Sequence, residues 1–298
     1  MLQLAKGSYY NGMSFVQFIG AVELGLIYSL VAIGVYLTFR LIDFPDLTVD
    51  GSFPLGGAIA ATLIVDGFDP IMATLLAFVG GWLSGLVTAY LNLKWKIMGL
   101  LAGILTMTGL YSINLRIMGR PNITLMQHGS VFGVMDSKYV FLMIVVALVV
   151  IGLVFLIRSE FGLSIRAIGT NERFARALGI SFNRNTYFTL GLSNGIVALS
   201  GALFSQSSGF TDITMGQGTI IIGLASVIIG ETLFWKKNVY WLLIGCVMGS
   251  IIYKLVVALA LNLNFKTSDL KLITALLIII IMILPKVRHK LISTRGKK

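Results

Sequence analysis

Charge is scarce in this chain. Asp, Glu, Lys and Arg together make up 12% of its 298 residues, against about 25% in a soluble globular domain. So few charges cannot face water on every side, and the principal solvent must be lipid. Cysteine is nearly absent as well: Cys246 stands alone inside an apolar segment, which excludes an internal disulfide and matches no zinc spacing, so no metal site is expected. The two histidines, His128 and His289, have no carboxylate or serine beside them in a catalytic constellation, which argues against a membrane enzyme. No G-x-x-x-x-G-K-[ST] phosphate loop occurs, so any ATP-driven work has to be done by another chain. A cleavable leader is also missing from the pattern. Residues 1–14 carry one Lys and then run into a full-length apolar segment, so the N-terminus is expected to be retained.

What is present is hydrophobic surface, 57% of residues with a mean hydropathy of +0.92. Apolar runs long enough to cross about 30 Å of hydrocarbon recur from end to end. They predict segments at 15–39, 51–66, 70–92, 98–118, 139–157, 186–206, 218–234, 238–260 and 270–285. The expected fold is an all-α polytopic membrane protein of about nine, eight to ten, transmembrane helices. Its membrane domain covers 1–285, followed by a basic tail at 286–298. The second and seventh segments are short and begin among Gly, Pro, Asp and Thr, which reads as two broken or re-entrant helices.

The net charge of +11 comes from bases scattered between apolar segments, with no aromatic-interleaved stripe for nucleic acid. Placing the tail in the cytoplasm puts Arg40, Lys94, Lys96, Arg158, Arg166, Arg173, Arg176, Arg184, Lys236 and Lys237 on the same side. The opposite side receives Lys6, Arg116, Arg120, Lys138, Lys266 and Lys271, which satisfies the positive-inside bias. An odd number of spans then sets the N-terminus outside and the C-terminus inside. The tail bases serve as a topology anchor or as a patch for anionic lipid.

Sliding the chain on itself by 166 residues aligns FPDLTVDG at 44–51 with FTDITMGQ at 210–217, and Leu24, Gly25 and Leu26 with Leu190, Gly191 and Leu192. Five spans separate the copies, so the duplication is inverted, with repeat 1 over about 15–118 and repeat 2 over about 186–285. Inverted repeats with interrupted helices are a way to build a polar pathway at the membrane midplane. The candidate pathway residues are Asp46, Thr48, Asp50 and Ser52 in the first copy, with Asn194, Asp212, Thr214 and Gln217 in the second. Helix capping explains one or two of them equally well. Ionisable groups inside spans are costly unless paired or facing a cavity. Glu23 and Lys254 lie at a similar depth and are expected to form an intramembrane ion pair, structural or in contact with substrate.

Residues 158–185 form the only long loop with soluble-helix grammar. Thr170 or Asn171 offers an N-cap, Glu172 falls in the first turn, and Gly179 stops the helix. Phe174 and Leu178 share a face, flanked by Arg173 and Arg176. Such a helix either lies on lipid or docks into a groove on a soluble partner.

Two motifs carry a resemblance. PDLTVDGSFPLGGAIAA at 45–61 is an Asp-Leu-Thr turn before a Gly-rich helix, and RAIGTNERFARALGI at 166–180 precedes the Gly- and Ala-rich GLSNGIVALSGAL. Together they resemble the permease subunits of ATP-binding-cassette importers in the branched-chain amino acid and ribose permease superfamily. LTVDGSF is closest to the subgroup of tryptophan and tyrosine importers paired with a lipoprotein binding protein. IIGETLFWKKN at 228–238 departs from the Gly-Gly-Thr-Ser stretch of the sugar permeases.

The resemblance implies that Gly169, Thr170, Asn171, Glu172, Arg173, Phe174, Arg176, Leu178 and Gly179 form the helix that seats in an ATPase subunit. It further implies a second permease subunit, two ATPases that use ATP and Mg, an extracytoplasmic binding protein and a bacterial cytoplasmic-membrane location. No cofactor is implied on this chain itself. An ion-gradient-driven secondary transporter is the alternative, with Glu23, Asp46 or Asp50 as ion sites.

Overall fold

The computed structural model describes residues 15–134, 137–234 and 238–262, with Leu272, Ala275, Leu276 and Ile279 beyond them. The predicted span 270–285, the tail 286–298 and Lys6, Lys236, Lys237, Lys266 and Lys271 fall outside the continuously described residues. Ten α-helices occur among the described residues: α1 (Phe15–Val35), α2 (Val49–Val65), α3 (Pro70–Leu93), α4 (Gly99–Met118), α5 (Lys138–Arg158), α6 (Glu160–Thr170), α7 (Glu172–Ala177), α8 (Phe182–Ser208), α9 (Thr219–Leu233) and α10 (Val239–Asn262). Helices thus stand at the first eight predicted segments.

Six of them are long and apolar enough to cross a membrane: α1 with its extension to Leu41, α3, α4, α5, α8 and α10. The other two apolar helices, α2 with 17 residues and α9 with 15, are short. At 1.5 Å per residue they reach about 26 and 23 Å, less than the hydrocarbon thickness of about 30 Å. Three features were not anticipated. A π-helical turn, Tyr36–Leu41, prolongs α1. Two three-residue strands, β1 (Asn122–Thr124) and β2 (Phe210–Asp212), pair antiparallel in an otherwise helical chain. The loop at 158–185 also holds two helices, α6 and α7, in place of one.

Local chemistry accounts for the boundaries. Asp69 accepts hydrogen bonds from the N–H groups of Ile71 and Met72, and Pro70 begins α3 where no N–H is needed. Ser159 caps α6 through Gly162, and Asn171 caps α7 through Phe174.

α1 and α8 form the centre, both buried along most of their length. Ser193 Oγ donates to the carbonyl of Gly34 at 2.7 Å, and Ser200 Oγ to that of Ile27 at 2.7 Å. The numbers rise on α8 as they fall on α1, so the two helices run antiparallel. α1 packs on α9 and α10, while α8 packs on α2 and α3. These crossings depend on small residues, since a Cβ at Gly201 would strike the backbone of Phe53 and one at Gly249 the backbone of Ser226. In lipid no hydrophobic force draws helices together, so close backbone approach and hydrogen bonds such as Ser250 Oγ to Gly25 O, 2.8 Å, hold the bundle.

The two ends of the bundle differ. One carries β1, β2 and Glu23; the other carries α6, α7 and the ion pair Arg40–Glu231.

Candidate translocation site and docking helix

The chain between the π-helical turn and α2 folds around Asp46. Its Oδ1 accepts the N–H of Thr48 at 2.9 Å, and its Oδ2 accepts Asn194 Nδ2 at 2.7 Å. Asn194 Oδ1 in turn accepts Ser52 Oγ at 2.7 Å, and Ser52 meets Ser84 at 2.8 Å. A second branch runs from Thr48 Oγ1 to Thr88 Oγ1 at 2.6 Å and on to Thr106 at 2.9 Å. Asp46, Thr48, Ser52 and Asn194 are 0% exposed. These four predicted pathway residues therefore come together, but they bond one another and line no open passage in this conformation. The network ties α2, α3, α4 and α8 into one block. Ser84, Thr88 and Thr106 were not singled out from the sequence. The signal was there, since Ser84 and Thr88 are i, i+4 neighbours in an apolar span and so share a face.

Asp50 does something different. From the first turn of α2 its carboxylate accepts the N–H of Gly218 at 3.0 Å and of Ile220 at 2.7 Å, capping α9 from 168 positions away. The starts of the two short helices are therefore joined through one half-buried side chain. Asp50→Ala leaves two donors at α9 without that acceptor, at about 1–3 kcal/mol, and is expected to lower the midpoint of thermal unfolding in detergent. Asp50→Asn, which keeps an acceptor oxygen, is expected to recover part of the loss. An unchanged midpoint in the alanine variant would show that the cap carries no weight.

Asp212 and Thr214 repeat the Asp46 turn at the other end of the bundle, with Asp212 Oδ1 accepting the N–H of Thr214 at 2.7 Å. The Thr214 hydroxyl also donates to Asp212 and holds its carboxyl below the usual carboxylate range. Thr214 and Gln217 are exposed, unlike Asp46, Thr48 and Ser52.

The expected ion pair is not formed. Glu23 accepts a hydrogen bond from Ser207 Oγ, while Lys254 Nζ lies 3.4 Å from the centroid of the Tyr28 ring. Depth matched the two residues, but their angular positions send them to different neighbours.

At the α6–α7 end, α7 is anchored by buried Ala175 and by Arg176, which stacks 4.6 Å over the Phe182 ring and pairs with Glu172 at 2.8 Å. Gly179, at φ +79°, ends the helix, with Ile180 N–H reaching Ala175 O at 3.1 Å. Phe174 and Leu178 point away, 61% and 62% exposed. Behind this patch Gly169 is pressed on the backbone of Leu41 and Ile42, where any side chain would collide. The α6–α7 end is thus in backbone contact with the end of the π-helical turn, which leads into the segment that carries Asp46. Arg40 in that turn is also ion-paired with Glu231 of α9.

A family model described as branched-chain amino acid transport system / permease component matches residues 18–284. The chain belongs to this permease family. It is an ABC-type, multi-pass membrane permease. The tyrosine transport system permease protein of Clostridioides difficile (strain R20291) is 40% identical to it over 272 residues, covering 91% of this chain and 92% of the relative. The ribose import permease protein RbsC of Haemophilus influenzae is 27% identical, covering 86% and 80% of the two chains. Among solved structures, PsaBC from Streptococcus pneumoniae in complex with Fab matches with a TM-score of 0.51 at 15% identity, over 90% of this permease and 95% of that chain. At that identity the likeness concerns the fold alone.

Proposed function

We propose that this permease forms the pathway of an importer for a small polar solute, an aromatic or branched-chain amino acid, working by alternating access and driven by separate ATPase subunits that seat on α7. The observation that carries the reading is the Phe174–Leu178 patch, an exposed apolar pair on a capped helix whose neighbour Gly169 is locked onto Leu41. An apolar pair at i, i+4 fits a groove on a soluble partner. Its rear contact gives the partner a lever on the spans.

The inverted duplication is part of this proposal. An offset of 166 residues turns Ile27 into Ser193 and Gly34 into Ser200. The two hydrogen bonds between α1 and α8 therefore exchange with each other. The same offset relates the Gly25–Ile251 contact of α1 with α10 to the Gly85–Gly191 contact of α8 with α3. Both copies also have an Asp accepting from the Thr two residues on. These correspondences support a pseudo-two-fold axis through the α1–α8 crossing.

In the assembly two copies of the permease pair, two ATPases bind ATP and Mg on the cytoplasmic side, and an extracytoplasmic binding protein delivers substrate to the end bearing β1 and β2. The basic residues at the α6–α7 end support a cytoplasmic placement of that end. The tyrosine permease relative supports an aromatic amino acid as cargo.

The test is uptake of radiolabelled L-tyrosine, L-tryptophan and L-leucine into proteoliposomes holding the permease, its ATPase and its binding protein. Uptake is expected to require ATP and to survive ionophores. Uptake that ignores ATP and collapses with the ion gradient would establish a secondary transporter instead.

A further inference from the structure

Glu23 and Lys254 remain unexplained by the coupling scheme. Both are half-buried in spanning helices, where an ionisable group is costly unless it is paired or faces a polar cavity. The ion pairs among the described residues are Arg40–Glu231 and Arg176–Glu172, so these two are not matched with each other or with another described charge.

Their surroundings are aromatic. The Tyr28 ring under Lys254 lies 5.4 Å from Phe53 and 5.9 Å, edge-on, from Phe204. Phe204 and Ser207 are three positions apart on α8 and share a face. Ser207 holds Glu23 and Phe204 meets Tyr28, so Glu23 and the Lys254–Tyr28 contact are anchored on one face of α8 at positions about 4.5 Å apart along its axis. A cation, a ring surface and an anion are thus gathered along one stretch of the α1–α8 contact, with the two charges kept apart.

That arrangement complements a molecule bearing a carboxylate and an ammonium on one carbon beside an apolar side chain. We propose that Lys254, Glu23 and the Tyr28–Phe204 surface form a binding site for a zwitterionic aromatic α-amino acid on the permease itself. Lys254 receives the carboxylate, Glu23 receives the ammonium, and the rings receive the side chain. Binding draws Lys254 off the Tyr28 face and frees that face for the substrate ring. The inference rests on the amino-acid reading above and adds to it a place where specificity is exercised after the binding protein has released its cargo.

The experiment is equilibrium dialysis of the permease–ATPase assembly in nanodiscs without the binding protein. The probes are L-tyrosine, tyramine, which lacks the carboxylate, and 3-(4-hydroxyphenyl)propionate, which lacks the ammonium. Wild-type protein is expected to bind L-tyrosine about tenfold more tightly than either analogue, the scale of one charge-assisted contact. Lys254→Gln should weaken L-tyrosine by about that factor and leave tyramine unchanged, with Lys254→Arg restoring binding. Glu23→Gln should weaken L-tyrosine and leave the propionate unchanged.

A variant that weakens tyrosine and its analogue equally marks a structural role and overturns the site, as does wild-type protein that binds no L-tyrosine. Monodisperse elution of each variant guards against misfolding. Uptake by the complete assembly separates the two levels. Full L-tyrosine uptake with Lys254→Gln overturns the site and leaves the amino-acid reading intact, whereas uptake of no amino acid by wild-type assembly overturns both.

Discussion

Asp46→Asn is expected to destabilise the permease almost as much as Asp46→Ala, and Asp46→Asn combined with Asn194→Asp is expected to recover part of the loss, since the exchange restores the 46–194 bond but removes the Asn194 donor to Leu190 O. The argument is one of donors and acceptors. Asp46 accepts from both the Thr48 N–H and Asn194 Nδ2, in a place with no exposure to solvent. Alanine leaves the Thr48 N–H and one Asn194 Nδ2 hydrogen buried without an acceptor, the other Nδ2 hydrogen staying on Leu190 O at 3.0 Å, and each loss costs about 1–3 kcal/mol, for a total on the order of 4 kcal/mol. Asparagine keeps an oxygen for Thr48 but turns an NH2 toward the NH2 of Asn194, so the second bond is lost and two donors confront each other. Exchanging the two residues restores an acceptor at position 194. The carboxylate placed there accepts from the relocated amide with one oxygen and from Ser52 with the other, preserving the branch that in the wild-type chain runs from Ser52 Oγ to Asn194 Oδ1. Thermal denaturation in detergent, followed by fluorescence-detected gel filtration, reads the result. A single Asp46→Asn variant as stable as wild type would mean that the network is not what joins α2 to α8.

Much of this architecture could be read from the chain because lipid imposes a simple rule. A helix must be about 20 apolar residues long to cross, so spans are written directly as apolar runs. The short helices were legible for the same reason, as runs too brief for the membrane and opened by Gly, Asp and Thr. The α7 boundaries were legible from local chemistry alone, because Asn171 and Gly179 act on the backbone next to them.

Partner choice across helices was not legible. The depth of Glu23 and Lys254 follows from counting residues, but which way each side chain turns depends on rotations and crossings that only tertiary packing fixes. Glu23 therefore met Ser207, and Lys254 met Tyr28. The Asp46 network shows the same limit. Asp46, Thr48 and Ser52 were visible as a polar cluster, whereas Thr106 joins only because α4 passes α3 at Thr88. The strands β1 and β2, three residues each, are too short to carry an alternating pattern. The π-helical turn has no sequence signature at all, and Gly169 acquires its meaning only when Leu41 is seen against it.

Substituting Phe174 and Leu178 with aspartate is expected to abolish ATP-driven uptake while leaving the permease folded. Both side chains are more than half exposed, so their removal opens no cavity, and exposed substitutions of this kind ordinarily change stability by no more than about 0.5 kcal/mol. If they seat in the ATPase, each contributes about 1.5–3 kcal/mol of apolar burial. Losing both then weakens the complex by about a hundredfold or more, since each 1.4 kcal/mol is a factor of ten. Glu172→Gln is expected to do far less. The Glu172 carboxylate is held by Arg176 in an exposed i, i+4 pair, a contact worth about 0.3–0.5 kcal/mol. Arg173 has no such partner in α7 and is the better charged candidate for reaching across the interface. Co-purification of the ATPase with tagged permease, measured beside uptake, separates the steps. Loss of both places the defect at docking, whereas retained co-purification with lost uptake places it in the transmission from α7 through Gly169 to Leu41. An aspartate double variant that both retains its ATPase and transports at the wild-type rate would remove α7 from the coupling scheme. The gradient-driven alternative would then be the reading to test.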